Sequence, residues 1–108
     1  DTFPYSGGIT TLEALWMGVP VISLAGGTFA GRHSLSFLSS LGLSEYVTDD
    51  REGYVTLAKE LAGDRPRLEG LRTGLRERMA GSPLCDRVGF ARDFATAMRG
   101  AWREWCRS

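Results

Sequence analysis

The chain has 108 residues, carries 13 Lys and Arg against 13 Asp and Glu, and is 43% hydrophobic. This length is enough for one small domain with a core, and a net charge of zero argues against a nucleic-acid partner. No apolar run approaches the roughly 18 residues that a membrane-spanning helix needs. We therefore expect a globular protein that binds neither nucleic acid nor membrane.

The first residues predict a turn that leads into a helix. The chain begins with Asp rather than Met, which predicts a segment of a longer protein, and residues 1–3 are predicted as the tail of a strand. A turn follows over residues 4–8. Apolar residues at spacings of three and four then predict a helix over residues 9–17, which ends at Gly18 and Pro20.

The next elements complete half of an α/β repeat. Residues 19–25 are short, β-branched and nearly all apolar, which is typical of a parallel strand buried on both faces. Gly26 and Gly27 end that strand. A second helix is predicted over residues 30–41, and Tyr46 and Val47 are predicted as a last edge strand.

After residue 50 the pattern becomes entirely helical. Helices are predicted over residues 51–63, 65–80 and 86–105, and the arginines of the middle helix are expected on a solvated face. The last helix has a wide aromatic face, which we expect to pack on the rest of a larger protein. The chain therefore divides into an α/β part, residues 1–50, and C-terminal helices of the same domain, residues 51–108.

Cysteine and histidine give no sign of a metal site. Cys85 and Cys106 lie far apart, and His33 is the single histidine. Neither spacing nor number fits zinc. Because nothing marks the chain as secreted, we expect two reduced thiols and a cytoplasmic location.

The turn and first helix carry the strongest chemical signal. Glycines let a ligand approach the backbone, and a helix N-terminus offers unpaired N–H groups and partial positive charge to phosphate. The hydroxyls of the first turn can add donors, and a nearby carboxylate can accept from sugar hydroxyls. The candidate residues for a nucleotide site are Gly7, Gly8, Ile9, Thr10, Thr11 and Glu13. An ordinary loop followed by a threonine-capped helix fits the same residues.

A second glycine turn, residues 25–28, is expected to open on the same edge of the sheet. Arg32 follows it and could reach phosphate, although an exposed arginine on a first turn fits equally. His33 is interpreted as a surface or capping group rather than a general base. The glycine pattern matches neither a dinucleotide fingerprint nor a P-loop.

The first block of residues resembles a known enzyme family. It consists of Asp1-Thr-Phe-Pro-Tyr-Ser-Gly-Gly-Ile-Thr-Thr-Leu-Glu-Ala-Leu-Trp-Met-Gly-Val-Pro-Val-Ile-Ser-Leu-Ala-Gly. This run is similar to the C-terminal part of the O-linked N-acetylglucosamine transferases, including the plant SPINDLY-type enzymes, which carry tetratricopeptide repeats. The similarity continues through Ala30-Gly31-Arg32 and residues 41–43, 71–84 and 90–94.

The resemblance implies a GT-B fold, of which this chain is the last half of the Rossmann-like donor domain plus closing helices. It implies inverting, metal-independent transfer of a sugar, N-acetylglucosamine, from a UDP-sugar to Ser or Thr of a protein acceptor, without a cofactor. Gly8, Ile9 and Thr10 correspond to the diphosphate-binding positions and Glu13 to the ribose-binding acid. Ile9 interrupts the family's threonine run. The catalytic residues are expected upstream of this chain.

Two other functions remain open from the residues. One is a degenerate module that binds a nucleotide or a protein without catalysis, which Ile9 favours. The other is a GT-B-like sugar-nucleotide epimerase. By itself the 108-residue chain is expected to be inactive and to self-associate through its open sheet edge and apolar faces.

Overall fold

A computed structural model describes residues 1–107 and shows an α/β arrangement of helices around a small parallel sheet. The elements in chain order are α1 Ile9–Trp16, β1 Ser23–Leu24, α2 His33–Ser40, β2 Val47–Thr48, α3 Arg51–Gly63, α4 Arg65–Ala80 and α5 Arg87–Trp105. Short 3-10 turns precede α2 and β2. The predicted fold class is confirmed.

The sheet is shorter than the sequence predicts. Strands β1 and β2 run parallel, with Ser23 opposite Val47 and Leu24 opposite Thr48. The strand predicted over residues 19–25 is too long. Within the described residues, β2 is the only strand that pairs with this stretch, and it pairs with two positions of it. Residues 1–3 are also not a strand, although the Asp1 nitrogen donates to Ile22 O at 3.0 Å.

Three aspartates cap the N-termini of the long C-terminal helices. The side chain of Asp50 accepts from Gly53 N at 2.6 Å, Asp64 from Arg67 N, and Asp86 from Gly89 N. Each satisfies a backbone donor that the helix itself leaves unpaired. The boundaries of α3 and α4 agree with the prediction, and α5 begins one residue later.

The second predicted helix is divided in two. A 3-10 turn over Phe29–Gly31 precedes α2, and Arg32, with φ of −129°, separates them. At their other ends, α1 and α2 are followed by Gly18 (φ 76°) and Gly42 (φ 65°). Left-handed backbone of this kind favours glycine, and both helices end one residue before the predicted position.

The core lies between the sheet, α1, α2 and the two helices α3 and α4. Its fully or nearly fully buried members are Leu15, Leu38, Leu41, Leu43, Tyr46, Leu61, Leu75 and Met79. Burial of a leucine side chain contributes about 1.5–3 kcal/mol. This cluster therefore holds the α/β part and the first two C-terminal helices together.

Helix α4 is not simply a solvated arginine face, as its sequence suggests. Arg76 Nε donates to Trp16 O at 3.0 Å and its guanidinium lies over the Trp16 ring. Arg67 Nε donates to Tyr46 OH at 2.8 Å, and Arg78 donates to Gly42 O. These arginines connect α4 to the α/β part.

Helix α5 leaves its apolar stripe exposed. The stripe consists of Phe90, Phe94, Met98, Trp102 and Trp105. Packing of this face on other parts of a larger protein stays a prediction. Within residues 1–107, no helix is both long and apolar enough to cross a bilayer.

Candidate functional site

The N-terminus of α1 is an open end of a helix. Gly8 occupies the N-cap position, and no side chain caps the helix. Across residues 1–107, the backbone N–H groups of Gly8, Ile9 and Thr10 have no hydrogen-bond acceptor. The interpretation as a threonine-capped helix is therefore wrong, and three donors remain available to an external anion.

The side chains of the first turn divide into exposed and internal ones. Ile9 is 74% exposed, and Thr10 and Glu13 also lie at the surface. The Thr11 side chain is buried, and its hydroxyl lies 2.9 Å from the Ser34 hydroxyl. The hydroxyl of Thr11 is therefore bonded inside the protein, whereas the Thr10 hydroxyl and the Glu13 carboxylate face solvent.

Glu13 lies at the edge of an apolar groove along α1. The groove is lined by Ile9, Leu12, Glu13, Trp16, Met17 and Met79. A carboxylate beside an apolar surface suits a sugar ring, whose hydroxyls need acceptors and whose C–H faces pack on apolar groups.

The loop before α1 is held by the carboxylate of Asp1. Its Oδ1 accepts from Gly7 N at 2.7 Å and Thr2 N at 2.9 Å. Its Oδ2 accepts from the hydroxyls of Ser6 at 2.8 Å and Ser23 at 2.6 Å. Four donors to one carboxylate join the loop to strand β1.

Gly7 and Gly8 differ in the space that a side chain would have. A Cβ on Gly7 would collide with Thr11 Oγ1 and lie 3.1 Å from Asp1 Oδ1, whereas a Cβ on Gly8 would meet nothing within 4 Å. The loop that Asp1 holds is therefore tightly packed up to Gly7, and it opens to solvent at Gly8.

The segment that follows the second glycine turn packs against the loop before α1. Ser6 N donates to Ala30 O at 2.9 Å, and a Cβ on Gly31 would lie 3.0 Å from Pro4 O. Arg32 is exposed, and its guanidinium donates to Gly26 O at 2.9 Å. That bond holds Arg32 on its own turn, so the structure does not bring its charge to the N-terminus of α1.

His33 lies among aromatic rings. The rings of Tyr5 and Phe29 meet it edge-on, with centroids 5.8 Å and 4.8 Å away. His33 is therefore an aromatic packing group, whereas the sequence interpretation made it a surface or capping group.

The remaining features concern the terminal amino group and metal binding. In the isolated 108-residue chain, burial lowers the pKa of the α-amino group at Asp1. Within residues 1–107, no group of three or more His, Cys, Asp or Glu side chains is placed to hold a metal ion.

The sequence interpretation missed Asp1, Ser6, Ser23 and Ser34. One signal was present: Ser23 stands alone as a polar residue in the apolar run 19–25. A buried hydroxyl needs a partner, so this serine already indicated a polar group beside the strand.

The comparisons with known proteins decide the family. The model of glycosyl transferase family 41 matches residues 1–94. The chain belongs to glycosyl transferase family 41. The predicted resemblance is confirmed, and the match includes the whole loop and helix α1.

Relatives within family 41 come from plants and animals. A protein of Hordeum vulgare named "Probable UDP-N-acetylglucosamine--peptide N-acetylglucosaminyltransferase SPINDLY" is 44% identical over 98% of this chain. Its Arabidopsis thaliana counterpart is 42% identical over 99%. A Caenorhabditis elegans UDP-N-acetylglucosamine--peptide N-acetylglucosaminyltransferase is 28% identical over 97%. The chain spans only 11% of the barley protein's length.

A solved structure shows the same fold. A mutant O-GlcNAc transferase of Thermobaculum terrenum matches 99% of this chain with a TM-score of 0.90 and 42% sequence identity. The chain corresponds to 21% of that protein. Family 41 therefore accounts for both the sequence and the fold of these residues.

Proposed function

We propose that these residues form the donor half-site of a protein glycosyltransferase. In this proposal the intact protein transfers N-acetylglucosamine from a UDP-sugar to Ser or Thr hydroxyls of a protein acceptor, and uses no cofactor. The open N-terminus of α1, with three unpaired N–H groups in a family 41 chain, is the observation that carries it.

The diphosphate would lie on the N–H groups of Gly8, Ile9 and Thr10. Helix N-termini bind phosphate because unpaired N–H groups and the helix dipole both favour negative charge. The exposed Thr10 hydroxyl adds a donor. Glu13 follows one turn later at the surface and is proposed to accept hydrogen bonds from the ribose.

The same donors would promote the reaction. When the bond from the sugar to the diphosphate breaks, negative charge grows on the leaving diphosphate. Preorganised N–H groups stabilise such charge without reorganisation. We propose a metal-independent, inverting transfer, in which the acceptor hydroxyl attacks from the side opposite the diphosphate. The acceptor-binding residues and any general base belong to upstream regions.

The names of the relatives support this donor and acceptor. They describe proteins that use UDP-N-acetylglucosamine and act on peptides. We extend both to the intact protein as a proposal and place it in the cytoplasm. Free thiols at Cys85 and Cys106 are consistent with a reducing compartment.

Calorimetry of UDP binding to the intact protein tests the site. We expect Thr10→Ala and Glu13→Ala each to weaken UDP binding about tenfold, since each loses about 1.4 kcal/mol of hydrogen bonding. Glu60→Gln, an exposed carboxylate change on α3, is the control. Unchanged affinity in both variants would refute the site assignment.

A non-catalytic nucleotide-binding module is the second candidate. Ile9 favours it, because its exposed side chain places no hydroxyl on the first turn. A transfer assay with UDP-N-acetylglucosamine and an acceptor peptide distinguishes the two functions. Membership of family 41 favours transfer over the epimerase alternative.

A further inference from the structure

We propose that Asp1 is a positioning residue for the donor diphosphate, which it never contacts. It would act by holding the loop at residues 6–7, so that the next three N–H groups point together to one anion. This inference rests on the proposed function, since it assigns a role within the same site.

The first argument is the number of donors on one carboxylate. Gly7 N, Thr2 N and the hydroxyls of Ser6 and Ser23 all donate to Asp1, at 2.6 to 2.9 Å. Hydrogen bonds to an ionised acceptor are shorter and roughly twice as strong as neutral ones. Both oxygens of the Asp1 carboxylate therefore accept hydrogen bonds from the loop or from strand β1.

The second argument is where the bound atoms lie along the chain. Gly7 N, held at 2.7 Å, is the backbone donor immediately before the unpaired N–H of Gly8. Fixing Gly7 N fixes the direction in which the following peptide groups leave the loop. Donors that are already oriented lose less entropy when the anion binds.

The third argument is that the network continues to α2. Ser6 Oγ, which donates to Asp1, also accepts from Ser34 N at 2.9 Å. The Ser34 hydroxyl donates to Gly7 O at 3.3 Å, and its oxygen lies 2.9 Å from the Thr11 hydroxyl oxygen. Every buried side-chain polar atom of the described residues has a partner. The loop is therefore clamped from β1 and from α2.

An amide in place of the carboxylate tests this role. Asn can accept through one oxygen only, and its NH₂ group would face donors that now bind Asp1. In the intact protein we expect Asp1→Asn to raise the Kd of UDP about tenfold, the effect of about 1.4 kcal/mol, while the Kd of uridine stays unchanged. The calorimetric stoichiometry should remain that of the unchanged protein.

Several results would overturn the positioning role. An unchanged Kd for UDP would do so, as would an equal rise in the Kd of UDP and uridine. A fall in stoichiometry at constant Kd would show that Asp1 only maintains folded protein. If Asp1→Asn yields no folded protein, Ser23→Ala is the variant that tests the role. We expect it to raise the Kd of UDP about threefold. Ser82→Ala, at another buried serine, is its control.

Failure of the proposed function can be distinguished from failure of the role of Asp1. If the unchanged intact protein binds no UDP, the donor site itself is wrong, and the role of Asp1 is wrong with it. If that protein binds UDP and Asp1→Asn binds it equally well, the donor site stands and only the positioning role is overturned.

Discussion

Thr11 and Ser34 face each other in the interior, with their hydroxyl oxygens 2.9 Å apart. The pair joins the first turn of α1 to the first turn of α2. Thr11 is 4% exposed and Ser34 is fully buried, so this threonine stabilises the interior, whereas its neighbour Thr10 is exposed to solvent.

Thr11→Val should therefore affect stability more than binding. Valine keeps the shape of threonine but removes one partner of the buried Ser34 hydroxyl, which costs about 1 kcal/mol. Hydrogen exchange of amides in α1 and α2 of the intact protein should accelerate about fivefold. UDP affinity should change less than in Thr10→Ala. If the two variants lose UDP affinity equally, the Thr11 hydroxyl reaches the ligand. Ser40→Ala, at an exposed serine of α2, is the control.

Gly7→Ala should destabilise the loop. The added methyl group would collide with Thr11 Oγ1 and crowd Asp1 Oδ1, and overpacking of this kind costs about 1–3 kcal/mol. We expect a lower midpoint of thermal unfolding together with weaker UDP binding.

Gly74→Ala is the matched change on α4. A Cβ there meets nothing within 4 Å, and alanine favours a helix interior over glycine by about 1 kcal/mol. The midpoint of thermal unfolding should rise. A fall at Gly74, or no change at Gly7, would contradict the packing described here.

Arg76→Lys should weaken the contact between α4 and α1. Lysine lacks the Nε donor to Trp16 O and the planar group over the Trp16 ring. We expect a loss of about 1 kcal/mol, measured by chemical denaturation or by hydrogen exchange in α4. Arg72→Lys, on the same helix without such a bond, should stay within about 0.5 kcal/mol of the unchanged protein.

The isolated 108-residue chain should self-associate through α5. The five side chains of the apolar stripe on this helix are each more than half exposed, and apolar patches of this kind drive association. Sedimentation of the chain should depend on concentration, and Phe94→Ser with Met98→Ser should reduce the dependence. Arg103→Ser, which lies neither three nor four residues from any member of the stripe, should not. A chain that sediments as a monomer at every concentration would exclude association through α5.

The sequence by itself determined the elements whose signals are local. The three C-terminal helices were predicted to within one residue, because the capping residues Asp50, Asp64 and Asp86 act on backbone groups within one turn. The glycine pair before α1 and the family itself were also available from the first 26 residues, whereas the structure showed that no side chain caps the helix.

The tertiary structure decided which polar side chains face inwards. Thr10 and Thr11 are neighbours with the same chemistry, yet one is exposed and the other bonds Ser34, 23 residues away. Asp1 meets Ser23 across 22 positions. Such partners have no spacing that a sequence pattern can reveal, because they form only when loops, strand and helices pack. The N-terminus of α1 was therefore predictable as a candidate anion site, while the network that holds it in place required the fold.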